Sequence, residues 1–369
     1  MKFSSQTQID LNGYRYIKAI FVTLVISSAS LHSYAASLDD ISLNGYLSAE
    51  YEKHIGGDNE GDKNGSFDMD LIDLVFNIRA TDKLRIATDL TWEHGAASEE
   101  NRGNVAIEYA FAEYLISNNT KIRVGKMFTN FGIYNEIHTA KPATLTVKEP
   151  QSTNKNNKLG SEIRFYPRWL MGVAVVGTYQ LSKMGGDYVL QLSNGESEDE
   201  DINPFEEDDN THKAFNGRFR LRYTDAIQLG FSFFLDSMED PNSSGRIDLS
   251  SYGLQADWEN ENGTGLEFEF VLGDEDYSQA QKISRYAYTA MLYQQLNEKY
   301  TPYLRYEYLD PDKNTSRDTG TVSILGINIM IDESMFLKIE ADHFSTKENN
   351  GKFNGASFTE LKVSLSIGF

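Results

Sequence analysis

Arg218, Arg220 and Arg222 stand two residues apart, with Phe219, Leu221 and Tyr223 beside them. On an extended chain successive side chains point to opposite faces. This spacing therefore sets three guanidiniums in one row and three apolar side chains behind it. A row of fixed positive charge is suited to guiding anions, provided that it lines a passage. A second basic concentration lies upstream. Between Thr120 and Arg168 there are nine cations, Lys121, Arg123, Lys126, Lys141, Lys148, Lys155, Lys158, Arg164 and Arg168, against Glu136, Glu149 and Glu162. That local balance of +6 sits in a chain of formal charge −21.

Other chemistries find little support. The 369 residues contain no cysteine, which removes disulfide scaffolds, thiolate zinc sites and thiol catalysis. The acidic balance argues against nucleic acid as a partner, since phosphates are neutralised by clustered Lys and Arg. No HExxH, Walker or GxSxG pattern is present. His54, His94, His138 and His212 fall in or beside loops. His343 sits on the outward face of a strand with no accompanying serine signature. Nine carboxylates crowd residues 196–209 without calcium-loop spacing, so they read as a solvated acidic face and no metal site is assigned. Neither an enzyme nor a cofactor is expected.

The elements that must position the basic residues are strands. Leu361, Val363, Leu365, Ile367 and Phe369 form one apolar face, and Glu360, Lys362, Ser364, Ser366 and Gly368 the other. Such period-two alternation marks a strand that is apolar on one side only. It recurs at Leu229–Leu235, Leu266–Leu272 and Leu325–Ile331. The connections fall into two classes. Tight turns are expected at 81–83, 117–119, 167–168, 224–226, 260–262, 297–299 and 332–334. Long polar connections are expected at 55–65, 94–103, 238–246, 274–283, 310–319 and 346–356. Short turns on one rim and long loops on the other are the pattern of a transmembrane β-barrel of the bacterial outer membrane. Seven tight turns and eight long loops require sixteen antiparallel strands, an all-β fold. To keep that parity, the alternating piece Asp187–Ser193 is assigned to the fourth outer loop as a protruding hairpin. A barrel of this size encloses an aqueous channel.

The N-terminus reads as a secretory signal. Arg15 and Lys18 precede an apolar segment of about a dozen residues, too short to span a bilayer, and Ser33-Tyr34-Ala35 offers a cleavage site. Residues 1–35 are thus expected to be removed, leaving 36–369 as the barrel. Trp92, Tyr223, Trp258, Tyr308 and Phe369 fit interfacial girdles.

The third outer loop, about 127–158, carries Phe128, Phe131, Ile133, Tyr134, Ile137, Leu145 and Val147. These residues are more cheaply buried against the inner wall than left in water, so the loop is expected to fold into the lumen and narrow it. The turn at 224–226 pairs Tyr223 with Ile227. Arg222, Arg220 and Arg218 then lie opposite Gln228, Gly230 and Ser232, none of them a carboxylate. The opposite wall is read as acidic, from Glu267, Glu269, Glu307, Glu340, Asp342 and Glu360.

Two stretches resemble a known family. The run ending in Phe369 resembles the assembly signal of outer-membrane proteins. The segment Arg123-Val124-Gly125-Lys126-Met127-Phe128-Thr129-Asn130-Phe131-Gly132 is similar to one in the phosphate-selective porin superfamily, where an Arg-x-Gly strand leads into a loop opening with Pro-Phe-Gly; here Asn130 replaces the proline. The resemblance implies a homotrimer set in lipid and lipopolysaccharide, built by the barrel-assembly machinery. It also implies passage of small anions such as phosphate along a basic path. That path comprises Arg218, Arg220, Arg222, Arg123, Arg164, Lys126, Lys141 and Lys148, and its row on the eighth strand resembles the family's arginine ladder. The alternatives are a general or sugar-preferring porin, with Phe128, Phe131 and Tyr134 as aromatic contacts for neutral solutes, and a surface adhesin or receptor with a blocked pore.

Overall fold

The computed structural model describes residues 38–58, 63–93, 105–151, 159, 165–197, 202–208, 210–240, 245–278, 282–350 and 354–369. The expected signal segment and Arg164 lie outside them. Sixteen antiparallel strands close into one barrel in sequence order. The first eight are β1 (Ile41–Gly57), β2 (Ser66–Arg79), β3 (Leu84–Glu93), β4 (Val105–Ser117), β5 (Thr120–Phe128), β6 (Trp169–Leu181), β7 (Met184–Ser193) and β8 (Ala214–Thr224). The others are β9 (Ile227–Glu239), β10 (Arg246–Glu259), β11 (Thr264–Tyr277), β12 (Ile283–Gln294), β13 (Tyr300–Asp310), β14 (Gly320–Asp332), β15 (Met335–Thr346) and β16 (Ser357–Gly368).

Burial is inverted relative to a soluble barrel. Leu325 is 61% exposed and Leu304 55%, whereas Glu269 is 1% exposed and Lys338 and Glu307 are fully buried. Most outward positions are apolar and most inward ones polar, the arrangement that hydrocarbon outside and water inside demand. Closure also leaves no sheet edge, so each strand's backbone groups find partners on its neighbours.

Two sequence assignments are corrected. Residues 187–193 are not a hairpin in the fourth outer loop: they belong to β7, which pairs with β6 on one side and β8 on the other. Nor is Pro167-Arg168 a tight turn between strands. The third loop runs on to Arg168, β6 starts at Trp169, and the tight turn is Ser182-Lys183, with Ser182 at φ 57°. One strand was missed and one supposed in error, so the total of sixteen stands. The acidic segment after β7 also stays on the rim of the long loops.

The barrel shuts where β1 meets β16. Gly45 N–H donates to the Phe369 carbonyl at 2.8 Å, and Phe369 N–H returns a bond to Gly45 at 3.0 Å. A Cβ on residue 45 would stand 2.3 Å from the Phe369 ring, so glycine is what lets the aromatic lie across the seam.

Candidate functional site: the lumen and its third loop

Backbone N–H groups of the third loop need acceptors. The wall supplies carboxylates. Ile133 N–H donates to Glu269 at 2.7 Å, Val147 N–H to Glu340 at 2.8 Å and Gln151 N–H to Glu307 at 2.5 Å. The Tyr134 hydroxyl donates to Glu267 at 2.6 Å, and Gly132 N–H to the Ser232 hydroxyl at 3.2 Å. Loop carbonyls are met by wall donors in turn. Lys338 Nζ reaches the carbonyls of Lys141 (2.6 Å) and Thr146 (3.0 Å), and Arg305 Nη1 reaches Thr146 Oγ1 and the Lys148 carbonyl, both at 2.9 Å. Partners on β9, β11, β13 and β15 thus hold one stretch of chain.

Gly132 shows why the local sequence allows this approach. Its φ is +67°, and a Cβ there would lie 2.6 Å from a Glu269 carboxylate oxygen. A side chain at this position would be strained and would push the loop off the wall.

The basic residues divide by what they touch. Lys148 binds Asp70 at 2.8 Å and pairs with Glu50, and Lys141 approaches Asp70 at 3.2 Å. Burial disfavours the Lys148 charge, but Asp70 and Glu50 outweigh it and raise its pKa. The neighbouring Glu149 carries the mirror-image balance: burial opposes its charge, yet the paired Arg168 holds it below the ordinary carboxylate range. These residues fasten the loop. Arg218 is buried too, ion-paired with Glu136 of the loop and donating to the Gly132 carbonyl at 3.3 Å.

Arg220 and Arg222 lie lower on the same inward row. The registers Arg218–Ser232, Arg220–Gly230 and Arg222–Gln228 match the expected pairing, although Ile227 pairs with Thr224 rather than Tyr223. On the other flank Arg220 meets a carboxylate that the turn could not reveal, Asp187 of β7, at 2.9 Å. Arg222 is exposed beside Gly185, with no ion-pair partner among the described residues. Across β3–β5 a second group gathers: Arg85 (3.2 Å), Lys121 (3.0 Å) and Arg123 (2.7 Å) all converge on Glu113. Lys126 has the opposite parity to Arg123. It donates to the Ile107 carbonyl and lies over the rings of Trp169 and Phe205.

The three loop aromatics are packed rather than presented. Phe131 has no exposed surface and stacks on Tyr166 at 4.1 Å, Phe128 sits edge-on to His138 at 5.1 Å, and Tyr134 is bound to Glu267 as above.

Sequence reasoning missed Glu50, Asp70, Arg305 and Lys338 as loop fasteners. Their shared signal is a charged residue at an inward position, which alternation alone also assigns to a solvated wall. Of the glutamates read as an acidic face, Glu267, Glu269, Glu307 and Glu340 accept from the loop, and the wall also carries Arg305, Lys338 and Lys362. Glu307 and Asp342 are ion-paired within that wall, to Arg305 at 2.8 Å and Lys362 at 2.7 Å.

No family model matches the chain. An uncharacterised protein of Aquifex aeolicus is 23% identical over 258 residues, 66% of this chain, and the match spans only 54% of that protein's length. Among solved structures, the outer membrane channel DcaP of Acinetobacter baumannii superposes with a TM-score of 0.64 at 11% identity, covering 91% of this chain and all of that one. The anion-selective porin from Comamonas acidovorans gives 0.63 at 11% identity, over 89% and 99% of the two chains. The trimer form of OmpT, an outer membrane protein of Vibrio cholerae, gives 0.59 at 10%, over 89% and 99%. Identities this low speak for architecture, and on that ground the chain, a closed barrel of sixteen strands, has the fold of channel proteins of the bacterial outer membrane.

Proposed function

We propose that the protein is an outer-membrane porin, a passive channel for small hydrophilic solutes that prefers anions and works as a homotrimer without catalysing a reaction. The observation that carries this reading is the cation surplus below the loop. On the wall from β3 to β8, five inward-facing cations, Arg85, Lys121, Arg123, Arg220 and Arg222, meet two carboxylates, Glu113 and Asp187, and Asp257 of β10 is the next along the wall. At physiological salt the screening length is about 8 Å, so carboxylates of the outer loops are largely hidden from an ion at this depth. Charges on the wall act at shorter range and through less water. The third loop, fastened across the barrel, is the proposed constriction. The structure of an anion-selective porin and that of a trimer among the similar folds support the selectivity and the assembly; phosphate itself is one candidate anion. The sugar-preferring alternative loses its support, because Phe128, Phe131 and Tyr134 are buried.

Reversal potentials across a potassium chloride gradient test the proposal. The wild-type channel should favour chloride. Arg220→Ala with Arg222→Ala should move selectivity toward potassium while the barrel stays heat-modifiable. Arg218 is left intact because it holds the loop. Cation preference in the wild type, unmoved by the double substitution, would reject the reading.

A further inference from the structure

Apolar side chains on the inner face of this barrel fall into two groups. The larger one, drawn from β6, β8, β9 and β11–β16, includes Val271, Leu309, Val322, Ile324 and Phe344, and it packs together with Phe131, Leu159, Phe165 and Tyr166 of the third loop. The loop accounts for it. The smaller group is Met127, Ala174 and Val189, with Phe111 and Val176 packed against them, and it contains no loop residue. Phe111 and Val176 are only half-buried. An inward position in a water-filled barrel is ordinarily polar, so this patch lacks a structural reason for being apolar.

Its borders are cationic. In one register row across β5–β8, Lys121 pairs with Val176, Val176 with Val189 and Val189 with Arg218. Arg220 lies one inward position below Arg218 and faces Asp187. On the other border Arg123 places its guanidinium 4.8 Å from the Phe111 ring centre, while it and Lys121 share Glu113. The next carboxylate along the wall, Asp257 of β10, accepts from Gln228 at 3.3 Å. Two carbon surfaces with half-free cations beside them favour a solute that has a carboxylate at one end and a compact apolar body at the other.

We infer that the lumen wall formed by β4–β7 is a binding subsite for small apolar-bodied monocarboxylates, of benzoate size. The carboxylate meets Lys121 and Arg123, and the body lies on Phe111 and Val176. The inference rests on the anion-channel reading and narrows it. Inorganic phosphate or acetate would gain the charge contacts alone, whereas an aryl carboxylate adds apolar contact.

The test uses the full-length channel in planar bilayers at fixed potassium chloride, titrated with sodium benzoate, acetate, inorganic phosphate or neutral benzyl alcohol. Benzoate should half-block the chloride current at a concentration about tenfold below acetate, the gain expected for burying roughly half a phenyl ring. Phosphate should resemble acetate, and benzyl alcohol should block weakly for want of a charge. Val176→Asn, at a half-exposed position, should bring benzoate to the level of acetate while leaving the reversal potential unchanged; Phe111→Ser is the second variant should the first fail to assemble. Equal block by benzoate and acetate in a chloride-preferring wild type overturns the inference and leaves the channel reading intact. Retention of the tenfold difference in both variants overturns the assigned site. A cation-preferring channel insensitive to every anion defeats the function proposal first.

Discussion

Lys148 reaches carboxylates on two adjacent strands, Asp70 of β2 and Glu50 of β1, while Arg222 meets no ion-pair partner among the described residues. Both are formal cations on an inward path, and their surroundings give them different work. Replacing Lys148 with Ala would remove the cation that both Asp70 and Glu50 contact and leave the two carboxylates buried near each other. Removing one member of a buried ion pair costs about 3–5 kcal/mol, so loop attachment near β1 and β2 should weaken by that order. Single-channel records should then show higher open current noise and larger conductance; a trace indistinguishable from wild type would mean that Lys148 does not hold the loop. At this scale the inward parity of Arg218, Arg220 and Arg222 was legible, because alternation and a short turn settle it. Glu136 and Asp187 as their partners were not, since one comes from a distant loop and the other from a strand assigned elsewhere.

At the scale of elements, β7 carries the instructive difference. Its alternation was visible in Asp187–Ser193, but an even strand count constrains only the total. Supposing a strand before Pro167 and discarding the one after Gly186 preserved that total while exchanging two elements. The proline that suggested a turn instead lies at the end of the loop, where Asn135 Nδ2 ties the Arg168 carbonyl at 3.1 Å. The corrected topology has a direct check. Lys183 sits in the tight turn between β6 and β7, on the rim shared with both termini, so a cysteine placed there should react with an impermeant label only after the periplasm is opened. Labelling of intact cells at that site would return β7 to the outer loop. The loop's apolar residues were readable in the sequence; the wall carboxylates that receive its N–H groups were not, because no local pattern separates an acceptor for a loop from a carboxylate facing water.

For the molecule as a whole, closure depends on a close approach between Gly45 and Phe369. Phe369 is 60% exposed on the outer face, where its ring covers the glycine at the seam. Phe369→Ser removes that cover, and Gly45→Val sets a branched side chain where even a Cβ would meet the ring at 2.3 Å and the Asp73 carbonyl at 2.6 Å. Both variants should yield less heat-modifiable barrel in the outer membrane, the valine the more severely. Undiminished barrel in both would show that the seam tolerates repacking.

The third loop has a consequence for how the molecule comes into being. It is held by Glu50 and Asp70 near the start of the chain and by Glu307, Lys338 and Glu340 toward its end. Those two sets of partners come within reach of one segment only once β1 has met β16, across a separation of 316 residues at the Ser48–Ser364 contact. Contacts of such long range are slow to form. The loop's attachment and the seam are therefore completed together, and a chain caught before that moment has neither. Sealing the wall and anchoring the loop against it are thus one event.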